Sequence, residues 1–182
     1  MFSCVRFAYT MQLLPRASLC RSQHTSKPPR WKQYNLKGTG SGSQSIVETD
    51  DGFSLSTDTP KYMGGAGLSA QPVQMLLAAL VGCETATSQF IARKLRIPLN
   101  RIDFDIHAER NEWGSMHLPV DEEPDVTSRL HRIWGIARVH TTATQEDVDE
   151  LARLVKIRCP LASMVILSGC KLEVEWVKAD AE

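Results

Sequence analysis

Five cysteines, Cys4, Cys20, Cys83, Cys159 and Cys170, are the residues best suited to do chemistry in this chain. A thiolate attacks a peroxide oxygen readily, and a second thiol can condense with the resulting sulfenic acid to close a disulfide. The spacings exclude the commoner uses of cysteine. Cys4 and Cys20 fall in the leader; the other three are widely spaced and form no CxxC, so neither a secreted disulfide framework nor a zinc knuckle is expected. His107, His117, His131 and His140 show no HxxxH or HExxH spacing, so no metal site is expected. The glycine-rich GTGSGS at 38–43 lacks the Lys and the helix start of a phosphate loop, and no GxSxG nucleophile motif is present. No cofactor is expected.

Two of the thiols lie at helix signals. Pro72 to Cys83 (PVQMLLAALVGC) carries no charge, and Pro72 fits the first helical turn, where its missing N–H is harmless. Val73, Met75, Leu76, Leu77, Leu80 and Val81 cover nearly the whole circumference, which predicts burial on all sides. From Glu84 to Leu95 only Phe90, Ile91 and Leu95 maintain an apolar stripe, and Pro98 ends the helix. A run of about 25 residues would extend roughly 37 Å, the size of a central helix. Its uncharged part is shorter than the ~20 apolar residues of a bilayer span, so no membrane span is expected. Cys159 stands at an N-cap position before Pro160, where the helix dipole would favour a thiolate. Cys83, inside its helix, gains no such help.

The other elements are read from periodicity. Residues 38–43 suggest a flexible linker or loop tip. The runs 44–48 and 53–57 flank the turn signal Asp50-Asp51-Gly52, which predicts a hairpin. Residues 60–67 (PKYMGGAG) read as a loop. Residues 102–108 and 129–141 alternate as half-buried strands, with a polar, Pro-broken connection at 114–128 between them. Thr144 with Asp147 forms a capping-box pattern opening a helix whose apolar stripe is Val148, Leu151, Leu154 and Val155. A short helix follows Cys159-Pro160, and 171–177 is a closing strand. The order β-β-α-β-β-α-α-β is α+β, with mostly antiparallel strands beside segregated helices.

Composition fits one soluble domain: 42% of residues are hydrophobic and 23% charged, enough to build a core in 182 residues. The formal net charge of zero gives no general attraction to nucleic acid or an anionic membrane, and no nucleic-acid partner is expected. The charge is unevenly placed. Residues 1–47 hold no Asp or Glu but contain Arg6, Arg16, Arg21, Lys27, Arg30, Lys32 and Lys37. A basic, acid-free, Ser/Thr-containing leader of this kind suits a transit peptide, and Arg6, Gln12, Pro15 and Arg16 interrupt the apolar run that a secretory signal needs. Residues 1–30 are therefore expected to be a mitochondrial transit peptide directing residues 31–182 to the matrix.

The stretch TPKYMGGAG, a Pro72 eleven positions before Cys83 on an Ala/Gly-rich helix, and the late Cys159-Pro160 together resemble the OsmC/Ohr family, over about residues 32–178. The resemblance implies an antiparallel sheet wrapped around a long central helix, in an intertwined homodimer with sites at the dimer interface. It also implies a peroxidase acting on organic hydroperoxides: Cys83 would become a sulfenic acid and Cys159 would resolve it. A dithiol, such as a lipoylated protein, would be the reductant. Met63, Met75, Trp113 and Trp134 are candidates for the apolar surroundings.

The sequence departs from that family at the charged partners of the thiol. Active members place a Glu ten residues before the helix cysteine and a neighbouring subgroup an acid nine before; here those positions are Val73 and Gln74. An early-loop Arg is matched by Ser41–Ser45, which has no cation. Gln74 could supply a hydrogen bond, and Arg132, Arg138 or Arg158 could supply the cation. The alternative is a non-catalytic module of the same fold that senses redox state or binds an apolar ligand.

Overall fold

The computed structural model describes residues 28–180. The chain divides between Tyr34 and Asn35, and residues 28–34 are exposed without regular structure. Nearly all of the expected leader, with Cys4 and Cys20, lies outside the described residues.

The second unit opens with a meander of β1 (Leu36–Ser41), β2 (Gln44–Thr49) and β3 (Ser54–Thr57), antiparallel in the order β1-β2-β3. The expected loop tip at 38–43 is mostly strand: β1 pairs from Leu36↔Thr49 to Ser41↔Gln44. Glycines weaken a strand, but a ladder of backbone hydrogen bonds to β2 overrides that local preference. Gly42, at φ +59, and Ser43 make the turn between the two strands. The hairpin at Asp50-Asp51-Gly52 forms as expected, with Gly52 at φ +84 and Thr49 N–H donating to the Phe53 carbonyl at 2.9 Å.

Asp58 anchors the following loop. It is 1% exposed, and its carboxylate accepts from Ser43 Oγ (2.8 Å) and from the N–H groups of Thr59 (2.7 Å), Ala66 (3.2 Å) and Leu68 (3.1 Å). Those bonds fix the glycine-rich segment leading into α1 (Pro72–Leu95).

The second sheet has β4 (Arg101–Arg110), β5 (Leu130–His140) and β6 (Lys171–Ala179) in that order. β4 and β5 are antiparallel, whereas β5 and β6 are parallel. The parallel pair requires a long crossover, supplied by α3 (Gln145–Arg158) and α4 (Pro160–Leu167). A short helix, α2 (Trp113–Met116), interrupts the connection between β4 and β5. The α+β class read from the sequence is the fold observed, with its strands in two three-stranded sheets.

The core joins Leu80, Ile91 and Ala92 of α1 to Ile133, Ala137 and Val139 of β5, Val148, Leu151 and Val155 of α3, and Trp176 of β6. α1 is long and apolar enough to cross a membrane; in this fold it packs against α3, α4 and β4. The all-round burial expected of its first half is not achieved within one chain. In that half Leu76 is 44% exposed, and further along the helix Phe90 is 49% exposed.

Candidate functional site

Cys83 is half-buried on α1 and packs against the core. Cys159 is fully buried at the junction of α3 and α4. The residue before a proline is pushed out of the helical region, and Cys159 accordingly adopts φ −74, ψ 118. It closes α3 through its N–H to the Val155 carbonyl (2.8 Å) and opens α4 by accepting the Ala162 N–H on Sγ (3.5 Å). The Cys83 thiol on α1 is a neighbour of this sulfur, close enough to help raise its pKa.

Burial sets the charge state of Cys159. Loss of hydration pushes its pKa up to about 11, more than the Ala162 amide lowers it, and the neighbouring Cys83 adds to the rise. The expectation of a thiolate favoured by the helix start is therefore corrected: desolvation outweighs the dipole, and Cys159 is a protonated thiol at neutral pH.

The auxiliary residues read from the sequence do not join this pair. Gln74 is occupied in the capping box of α1, where its Oε1 accepts the Gln71 N–H at 2.9 Å. Arg132 and Arg138 are exposed on β5. Their alternation with the buried Ile133, Ala137 and Val139 puts them on the sheet face turned away from the helices. Arg132 pairs with Glu173 and lies over the Trp134 ring, and Trp134 itself stacks on His107. Arg158 is exposed, and Trp113 is 71% exposed on α2. Cys170 is buried, its Sγ donating weakly to the Lys171 carbonyl at 3.8 Å. Among the described residues no group of three or more His, Cys, Asp or Glu side chains is placed to hold a metal.

Sequence reasoning passed over one residue, Glu84. It is 4% exposed, on the buried stripe of α1 with Leu80, Ser88 and Ile91. Burial raises its pKa from 4.5 to about 7. The available signal was position: it is the first charge after an uncharged run and falls four residues after Leu80 and four before Ser88, on the core face.

A long central helix beside a Cys-Pro helix start, with strands in two small sheets, is an architecture of the OsmC type. Residues 65–175 match the family model for OsmC-like protein, and the chain belongs to that family. No curated protein matches the chain significantly. Among solved structures, an OsmC-like protein from Mycoplasma pneumoniae superposes with a TM-score of 0.66 at 22% identity, over 81% of this chain and 98% of that one. An organic hydroperoxide resistance protein OsmC from Legionella pneumophila gives 0.60 at 21% identity, over 81% and 99%. The organic hydroperoxide resistance protein OhrB of Bacillus subtilis gives 0.56 at 16% identity, over 80% and 98%. At these identities the likeness is one of fold.

Proposed function

We propose that the protein is a thiol-dependent peroxidase that reduces organic hydroperoxides. The proximity of the Cys83 and Cys159 thiols, on two helices packed together, carries this reading. The Cys83 sulfur attacks the terminal oxygen of ROOH; the O–O bond breaks, ROH leaves with a proton, and Cys83 becomes a sulfenic acid. Cys159 then attacks that sulfur, water is released, and a disulfide forms. An external dithiol, such as a lipoylated protein, returns both thiols and is itself oxidised to a disulfide. The two hydroperoxide resistance proteins of the same fold support the substrate class. In steady-state assays with tert-butyl hydroperoxide and dithiothreitol, Cys83→Ser should reduce turnover to the uncatalysed rate; turnover unchanged by this substitution would end the assignment.

The working unit in this reading is a homodimer. Among the described residues β1, β2 and β3 pack chiefly on one another and make at most slight contact with any helix, and Ile46, Leu55, Leu76 and Phe90 leave apolar surface open that a second copy would cover. The basic, acid-free leader supports action in the mitochondrial matrix, which a fusion of residues 1–30 to a fluorescent protein would test by its destination.

A second reading, a non-catalytic sensor or apolar-ligand module, is favoured by one observation: neither Arg132 nor Arg138 faces the thiols, and Val73 replaces an acid. In that case the disulfide would form slowly and without turnover.

A further inference from the structure

Glu84 opens into a cavity that neither thiol lines. The cavity has a volume of about 150 Å³ and lies between α1, α3 and β6; its lining includes Ala152 and Val155 on α3 and Leu172, Val174 and Trp176 on β6. A buried acid in apolar surroundings is destabilising unless something satisfies it, yet the Glu84 carboxyl has no hydrogen bond or ion pair with any described residue. Its neighbours do not supply one. Ser88 Oγ on α1 donates to the Glu84 backbone carbonyl at 2.7 Å. Arg153 on α3 is taken by Glu150 through two bonds of 2.7 Å. Lys156 lines the same cavity from an exposed position, and the β6 residues facing it are uncharged.

We propose that this cavity is a binding site for an uncharged molecule about one ring in size with a single hydrogen-bonding head, an amide or a comparable group. The head would bond the Glu84 carboxyl and the apolar body would lie against Leu172, Val174 and Trp176. Size fixes the body: an apolar cavity of ~150 Å³ accommodates benzene. Charge fixes the head. A cation entering the cavity would meet Lys156, and an anion would meet Glu84. An amide is satisfied in either state of the acid, donating N–H to a carboxylate or accepting O–H from a carboxyl. With its pKa raised by burial to about 7, the acid presents both forms near neutral pH.

The test is an NMR titration of the full chain at pH 7, following the Trp176 indole N–H, with benzamide, benzylamine and benzoate as probes of one shape and three charges. Benzamide should shift the resonance saturably, and the two charged analogues should bind at least about tenfold more weakly. Glu84→Leu should weaken benzamide at least about tenfold, while Glu84→Gln, which keeps a hydrogen-bonding head, should bind within a few-fold of the parent. Both substitutions remove an acid whose charged form burial disfavours, so each variant should fold, and its own spectrum verifies this. The proposal is overturned by no saturable shift with benzamide, by equal binding of all three probes, or by benzamide affinity unchanged in Glu84→Leu.

Discussion

The Cys83 thiol, midway along α1, is a neighbour of Cys159, which caps two helices at once. They sit on different helices far apart in the chain, so the pair exists only in the folded state. Pro160 forces the break at which Cys159 sits, and burial there keeps its sulfur protonated. The same burial that makes Cys159 a poor first nucleophile leaves it a thiol placed to meet an oxidised Cys83.

Glu84 should make stability fall with rising pH. The unfolded chain releases this proton near 4.5 and the folded chain near 7, so between those values the folded state binds more protons and each step up in pH favours unfolding. Above about pH 7 the loss levels off, at no more than about 3 kcal/mol for a shift of this size. Urea denaturation of Glu84→Leu at pH 5 and pH 8 should show a variant more stable than the parent, by a larger margin at pH 8. Equal margins would mean that the acid is hydrated in the folded state.

Asp58 should act in the opposite direction. Its pKa is lowered, first by the Leu68 N–H and then by Ser43, so its contribution is present above the unfolded value of 3.8 and is lost as acid protonates the folded carboxylate. Hydrogen exchange at the Ala66 and Leu68 amides should accelerate in Asp58→Ala while the β5 amides stay protected. Unchanged exchange would show that the loop holds itself.

Gly135 tolerates no side chain. A Cβ there would lie 1.9 Å from the Asp105 carbonyl oxygen, at φ +147. Gly135→Ala should destabilise the chain by more than about 3 kcal/mol. Gly40→Ala, where the nearest atom is Gln44 O at 3.9 Å, should stay within about 0.5 kcal/mol of the parent. Thermal unfolding of the two variants makes the comparison.

The open apolar side of α1 predicts self-association. Sedimentation of the parent should give twice the chain mass, and Leu76→Glu should shift it toward one chain mass, because a charge buried in an interface without a partner is expensive. A parent that sediments as a single chain would remove the dimer from the account.

Much of this was legible in the sequence where a local rule fixes the backbone. Pro72 and Pro160 each open a helix, and the Thr144–Asp147 capping box forms with bonds of 3.1 and 3.2 Å. Gly38 and Gly40 misled because strand pairing, a long-range effect, placed them in β1. The Cys83–Cys159 pair came from family likeness, since no local rule brings residues so distant into contact. Within one chain a cap holds Gln74, and strand alternation turns Arg132 and Arg138 to the sheet face away from the helices. Glu84 escaped because helical spacing marks a core position without saying what occupies the space opposite.

The most direct test of the central claim is intact mass after a brief tert-butyl hydroperoxide pulse, with free thiols counted in parallel. The account predicts loss of two hydrogens and two thiols from the parent, gain of one oxygen without a disulfide in Cys159→Ser, and no rapid change in Cys83→Ser. A parent that keeps both thiols and its mass through the pulse would contradict it.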